Sequence, residues 1–334
     1  MTADDPLTSE EDIIQGYLAP LAASMPGAHG LKDDCATAAP APGHEFILKT
    51  DPIAEGVHFL SGDPPEDIGW KALAVNVSDL AAKGARPYGY LMSLSFPAPP
   101  ERAWMAAFAR GLGEAQAAFG IGLLGGDTDR RPGPLSIAPT VIGEAPTGRM
   151  IRRTTAQPGD ILCVTGTLGD ASLGLALRQS AALAKGWRLM PHHAQAMIAR
   201  YLRPQPRLAL APAILCYARA SMDVSDGLMK DLGRMCKASG CGAVVEHAAL
   251  PVSAAFAAVR SVAPDAAARA LFAGDDYEIL CAIAPLSFQA FVEAAHLTGL
   301  PVTRIGQFTE GSAVVLRDAG GRTVVPSSGG WDHF

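Results

Sequence analysis

Ser221-Met222-Asp223-Val224-Ser225-Asp226-Gly227 is the stretch that decides how this chain is read. An apolar run ends in an acid and a glycine follows, a strand turning into a helix through a turn rich in oxygen ligands. Upstream, Leu208 to Arg219 reads as a helix, Arg203-Pro204-Gln205-Pro206 as a breaker, Ile161 to Thr165 as a strand, and the residues from about Asp170 as a helix. Downstream, further strands are expected at Ala243 to Glu246, Tyr277 to Ile283, Arg304 to Phe308 and Ala313 to Leu316. Strands that alternate with helical spacings specify an α/β unit.

The N-terminal half repeats that grammar. Ser9 and Asp12 read as a capping box ahead of an amphipathic helix, and Phe46-Ile47-Leu48-Lys49-Thr50-Asp51 as a strand ending in an acid, followed by a loop holding His58. After Pro64-Pro65, Asp67 is expected to cap a helix reaching Lys83, with Asn76, Asp79 and Lys83 on one face. Tyr88 to Phe96 reads as a strand and Glu101 to Phe119 as a helix. Ile121 to Leu124 then forms a strand opening into the turn Gly125-Gly126-Asp127, and Leu135 to Gly143 closes the unit. The run from Glu144 to Asp160 holds Pro146, Gly148, Pro158 and Gly159, which sets the domains at 1–148 and 149–334. A length of 334 residues suits two such domains.

Composition narrows the function. Apolar residues make up 49% and charged residues 18%, so the chain is expected to be ordered. With 27 Lys and Arg against 33 Asp and Glu, the formal charge is -6 and no basic run marks a nucleic-acid partner. The acidic opening Met1-Thr2-Ala3-Asp4-Asp5 lacks the positive charge of a signal peptide, and the apolar run Leu208 to Ala218 is too short to span a bilayer. A cytoplasmic protein with no membrane partner is expected. Six cysteines without a CxxC spacing read as buried free thiols.

The chemistry lies in acids placed beside Gly, Ser and Thr, at Asp33-Asp34, Thr50-Asp51, Asp79, Gly126-Asp127, Asp223 with Asp226, and Asp275-Asp276. Taken singly, each reads first as the cap of a turn or helix. Together they suggest hard-metal ligands, because Mg²⁺ takes a few carboxylates and completes its shell with water and phosphate oxygens. Competing nucleotide signatures fail. No GxxxxGK[ST] occurs, and Gly120-Ile121-Gly122-Leu123-Leu124-Gly125 follows a helix, the reverse of the dinucleotide fingerprint.

The runs Lys71 to Ala82 (KALAVNVSDLAA), Gly125-Gly126-Asp127-Thr128, Asp223 to Leu228 (DVSDGL), Asp275-Asp276-Tyr277-Glu278 and Gly330-Trp331-Asp332-His333-Phe334 resemble the thiamine-monophosphate kinase family. That family sits in the aminoimidazole-ribonucleotide-synthetase-like ATP-binding superfamily. The resemblance covers nearly the whole chain. It implies an α/β (α+β) two-domain fold: an N-terminal mixed sheet with flanking helices for ATP, Mg²⁺ and dimerisation, and a C-terminal α/β domain completing the nucleotide and thiamine sites. It further implies in-line transfer of the ATP γ-phosphoryl group to thiamine monophosphate, giving thiamine diphosphate, in a homodimer. By similarity Asp34, Thr50, Asp51, Asp79, Asp127 and Asp223 would hold several Mg²⁺ ions, with Asp226 on a further one; Gly126, Asp127, Arg153 and Ser225 would contact ATP; and His58, Asp275 and Trp331 would line the thiamine site. No acid–base residue is implied, since a phosphate monoester with a second pKa of about 6 is already largely ionised at neutral pH.

Some readings stay open. Arg152 stands beside Arg153, Trp331 reads also as a tail packed on its domain, and His58 as a hydrogen bond within its own loop. The chain also departs from the family pattern. Lys32 replaces a glycine in the entry motif, Lys49 stands where Ser or Thr is common, Lys83 is placed to pair with Asp79 at i+4, and Ala273-Gly274-Asp275-Asp276 shortens an acid. Two rival functions remain: another superfamily enzyme, such as a selenide, water dikinase or an aminoimidazole ribonucleotide synthetase, and a non-catalytic nucleotide or thiamine-phosphate sensor in which Lys32 and Lys49 displaced metals.

Overall fold

Along β5 (Ser136–Pro146) buried and half-exposed residues alternate, so Ile137, Pro139 and Val141 face a core while Ala138, Thr140 and Ile142 face away. This strand is central to the first sheet of the protein, seen here in a computed structural model that describes residues 5–326 and 329–332. Its neighbours are β1 (His44–Thr50), β2 (Ile53–Ala54) and β3 (Arg86–Phe96), all antiparallel to it, and β4 (Gly122–Arg130) adds in parallel to β3. The sheet is therefore mixed. By contacts the chain divides into one unit of Met1–Leu80 and Ala85–Arg149 and a second of Ala81–Gly84 and Met150–Phe334.

In the first unit, helices Pro65–Ala82 and Arg102–Phe119 supply the buried faces, with Leu73, Val77, Leu80, Phe108 and Leu112 fully excluded from solvent. The two helices approach so closely that a Cβ on Gly111 would stand 1.9 Å from the Glu66 carbonyl oxygen. Gln116 Nε2 donates to the Tyr90 hydroxyl (2.9 Å), fastening the second helix to β3. The helix begins at Pro65 rather than behind Asp67, because proline is pre-set for the first helical position. The expected capping box does not form. Ser9 makes no side-chain cap, and one α-turn (Glu10–Ile13) passes into π and 3₁₀ turns as Gly16 and Pro20 interrupt the regular spacing.

The second unit holds a seven-stranded sheet in the order β12-β11-β8-β10-β6-β9-β7, with β6 (Ile161–Thr165), β7 (Ala218–Asp223), β8 (Gly242–Glu246), β9 (Ile279–Ile283), β10 (Val302–Thr309), β11 (Val314–Arg317) and β12 (Thr323–Val324). Every pairing is antiparallel except that of β11 with β8. Cores lie on both faces: Leu162, Val164 and Leu280 pack with Leu232, Phe256 and Phe308, whereas Cys163, Ile279 and Cys281 pack with Ile214 and Phe291. That double burial explains why β6 and β9 read as unbroken apolar runs. The helix expected over 208–219 is a 3₁₀ turn and Ala211–Tyr217, because Ala218 already pairs with Ile283 in β7. Among the described residues no helix is long and apolar enough to cross a membrane.

Candidate active site

In the first unit the end of β1 presents Lys49, Thr50 and Asp51. Thr50 Oγ1 donates to the Pro139 carbonyl of β5 (3.0 Å), fixing its hydroxyl. Asn76, fully buried on helix Pro65–Ala82, accepts the Asp51 N–H at Oδ1 (2.7 Å) and donates from Nδ2 to the Asp51 and Ala72 carbonyls (3.0 and 3.1 Å). The strand end is thus clamped to the helix that carries Asp79 three residues later. Lys49 Nζ lies 2.7 Å from Asp51 Oδ2 and 2.8 Å from Asp79 Oδ2. Burial by itself would lower the lysine pKa, but Asp79 and Asp51 outweigh it and hold the ammonium above its ordinary range.

Asp34, Gly126 and Asp127 line one cleft of about 780 Å³ together with Lys32, Ser93 and Thr140. Gly125 to Asp127 is not the expected turn: β4 runs on to Arg130, because the long β3 continues to pair with it, Ser93 opposite Asp127. Gly126 is required there, since a Cβ would stand 1.9 Å from the Met92 carbonyl oxygen. Asp34 and Asp127 are exposed. Gly120 caps its helix in the left-handed region (φ 64°) before the strand begins, so the GxGxxG match is a helix-to-strand junction. His58 Nδ1 accepts the Ala54 N–H (3.1 Å), which makes its imidazole a brace of its own loop and leaves the proton of the neutral ring on Nε2.

In the second unit Asp223 ends β7 almost fully buried, and the turn after it is gathered by one carboxylate. Asp231 Oδ2 accepts the N–H groups of Ser225, Asp226 and Gly227 at 3.0, 2.9 and 3.1 Å. Burial pushes the Asp231 carboxyl up to about 6, with the charge of Asp226 adding to the rise and the N–H groups and Arg234 opposing it. Arg234 bridges Asp226 (2.5 Å) and Asp231 (2.9 Å). The Trp331 N–H donates to the Asp226 carbonyl (2.8 Å) and the Asp275 N–H to the Ser225 carbonyl (2.7 Å). The Ser225–Asp226 turn, Asp275 and Trp331, which belong to three separate motifs of the sequence, are therefore one cluster. His333 and Phe334 of the terminal motif lie outside the described residues.

Asp275 (φ 64°) and Tyr277 (φ 52°) take left-handed backbone, and the acids between and beyond them turn inward. Buried Asp276 accepts the Gly169 N–H (2.7 Å), and buried Glu278 binds Arg200 Nη2 (2.7 Å), Arg207 Nε (2.7 Å) and Thr165 Oγ1 (2.6 Å). Arg153 is exposed on a turn whose carbonyl accepts from Ser239 Oγ (3.0 Å). That hydroxyl is at the C-terminal end of helix Leu228–Ser239, the end remote from Ser225. Lys83 Nζ donates to the Ser221 carbonyl (2.7 Å), and the cation bridging Asp79 is Lys49. Cys163, Cys236, Cys241 and Cys281 are buried free thiols, whereas Cys35 and Cys216 are exposed.

The donors fit magnesium by chemistry, being carboxylates with a threonine oxygen and no soft ligand. Among the described residues no three His, Cys, Asp or Glu side chains converge to hold an ion unaided. A cation that retains water and takes substrate oxygens requires no such cage.

Two family models match: AIR synthase related protein, N-terminal domain, over residues 32–145, and AIR synthase related protein, C-terminal domain, over residues 157–319. The thiamine-monophosphate kinase of Caulobacter vibrioides is 40% identical over 328 residues, 97% of this chain and 91% of that one. The chain belongs to the thiamine-monophosphate kinase family. The crystal structure of thiamine-monophosphate kinase from Stenotrophomonas maltophilia K279a is 38% identical with a TM-score of 0.78, covering 88% of this chain and 91% of that one. A structure described as AaThiL complexed with AMPPCP and TMP is 33% identical with a TM-score of 0.76, covering 90% and 91%. Like its thiamine-monophosphate kinase relatives, this chain is an enzyme of the phosphotransferase class. The expected fold, two α/β domains of the aminoimidazole-ribonucleotide-synthetase-like type, is the one observed.

For a thiamine-monophosphate kinase the roles that sequence reasoning missed are those of residues that position others. Asn76 left one signal, its place on the helix face that also carries Asp79, but its hold on the Asp51 backbone was not legible. Asp231 left none, because its role depends on three N–H groups that converge only after the turn has formed.

Proposed function

We propose that this enzyme transfers the γ-phosphoryl group of ATP directly to thiamine monophosphate, yielding thiamine diphosphate and ADP with several Mg²⁺ ions. The observation that carries the reading is the match, over nine-tenths of both chains, to a structure whose ligands are AMPPCP and TMP. Asp34, Thr50, Asp51, Asp79 and Asp127 of the first unit, and Asp223 and Asp226 of the second, are the residues we assign to magnesium. Magnesium supplies the charge that lets two phosphates approach, where each pair of unit charges about 4 Å apart opposes contact by about 4 kcal/mol at an effective dielectric of 20.

The remaining work falls to the chain. Gly126, whose missing Cβ lets β4 pack against the Met92 carbonyl of β3, meets ATP through its own backbone, and Ser225 offers a hydroxyl from a turn already held by Asp231. Arg153 suits a phosphate by its planar fork. Trp331 presents an indole face, 47% exposed, to the cationic thiazolium, and Asp275 an acceptor to the aminopyrimidine. His58, through Nε2, orients the acceptor phosphate. No general base is assigned, because the attacking oxygen is already ionised at neutral pH.

We also assign the enzyme to a homodimer. On the face of the first sheet turned away from its helices, Leu48 is 67% and Leu91 41% exposed, and the register sets Leu48 beside Ile142 and Leu91 beside Thr140. ATP as the donor assigns the reaction to the cytoplasm. Incubating the pure protein with ATP, Mg²⁺ and thiamine monophosphate should give thiamine diphosphate and ADP in equal amounts. Absence of thiamine diphosphate at high enzyme concentration rejects the reading.

A further inference from the structure

Lys49 stands between two carboxylates assigned above to magnesium, its Nζ at 2.7 Å from Asp51 Oδ2 and 2.8 Å from Asp79 Oδ2. It is not a loose surface chain. Its backbone lies inside β1, opposite Val141 of β5, and its side chain is only 29% exposed. Asp51 is clamped through its own N–H and carbonyl by buried Asn76, on the helix that also carries Asp79. The three groups are thus held on two elements joined by hydrogen bonds, and both acids reach the ammonium from where those elements place them.

An ammonium has three donors and no lone pair, so it cannot ligate a metal. It can only take the charge-balancing place that a metal would otherwise have. Two like charges sharing one pair of carboxylates repel, so the tethered cation and a mobile divalent ion are alternatives on these oxygens. A tethered ammonium is also present whatever the free Mg²⁺ concentration.

We propose that Lys49 Nζ takes the place of one divalent ion on the Asp51–Asp79 pair, so that this chain binds one ion fewer there than its carboxylates would bind alone. The proposal rests on the magnesium-dependent reading above. Under it, Asp34 and Asp127 remain ligands in the cleft of the first unit, and Asp51 and Asp79 keep their magnesium oxygens but share them with a resident ammonium in place of one further ion.

The test is a Mn²⁺ titration of the full chain with free Mn²⁺ read by electron paramagnetic resonance, with and without AMPPCP. Native protein is compared with Lys49→Ser, Lys49→Gln and Lys49→Arg. The neutral variants should take up one more Mn²⁺ per chain than native, or bind the same number with the weakest site at least about tenfold tighter, since a full unit charge has been removed from contact distance. Lys49→Arg, which keeps the charge, should behave as native. In a chelator the neutral variants should melt below native protein, and Mn²⁺ should restore them while leaving native protein unmoved. Equal counts with affinities within about twofold, for variants that are folded by circular dichroism, overturn the proposal. Formation of thiamine diphosphate by native protein is a separate measurement: its absence rejects the kinase reading, while the Mn²⁺ comparison alone decides the role of Lys49.

Discussion

Asn76 shows how much a single buried amide can carry. It is flanked by Val75 and Val77 on a helix otherwise devoted to the core, yet it makes three hydrogen bonds, two of them to the backbone of Asp51. Asn76→Ala leaves that N–H without its acceptor and should cost about 1–3 kcal/mol of stability, seen as a lower urea midpoint at unchanged slope. Asp276 makes the opposite case. Burial raises its carboxyl pKa well above the ordinary range, and the Gly169 N–H and Arg200 only partly counter this. The folded state therefore binds the proton more tightly than the unfolded chain, and the stability this provides is lost as pH rises through the raised value. Asp276→Asn has no such loss and retains an acceptor for Gly169. Its urea midpoint should gain on native protein as pH is raised above the ordinary carboxylate range, and a constant difference would refute the assignment.

Among the elements, the crossing of Pro65–Ala82 with Arg102–Phe119 sets where Asp51 and Asp79 meet Lys49, because the first helix carries the Asn76 clamp. Helix propensity alone makes Gly111→Ala stabilising by about 1 kcal/mol. The crossing reverses that sign, since the added Cβ would overlap the Glu66 carbonyl at 1.9 Å. We expect a net loss of about 1–3 kcal/mol, measurable as a melting temperature lower by several degrees. The same close approach explains what was legible here. Both helices and β3 read clearly because their apolar spacing is long, and the expected strand Tyr88 to Phe96 differs from the observed Arg86–Phe96 only at its start. The ends of elements were less legible. Whether Gly125 to Asp127 turns or stays in β4 depends on β3 lying alongside, and whether Ser9 caps a regular helix depends on how Gly16 and Pro20 bend the chain after Ile13.

For the molecule as a whole, the half-exposed face of the first sheet is the surface to which we assign the proposed dimer. Leu48→Asp places a charge among Ile142, Thr140 and Leu91, and should convert a dimer to monomer in light scattering without altering the circular dichroism of the fold. A native protein that is monomeric at micromolar concentration would end that assignment.

Periodicity and the run of acidic turns were enough, by themselves, to suggest two α/β units and hard-metal ligands, since apolar spacing and turn chemistry are local properties of a chain, while the phosphate chemistry was implied by the resemblance of the motifs to a known family. Tertiary structure alone decided what each acid does. Asp231 and Asp276 turned out to organise backbone, Asp51 and Asp79 to share the ammonium of Lys49, and Trp331 to rest against Asp226 across a separation of more than a hundred residues. The reason is physical: a carboxylate has the same composition whether it faces a cation, three N–H groups or water, and its partner is chosen only when distant segments close on it.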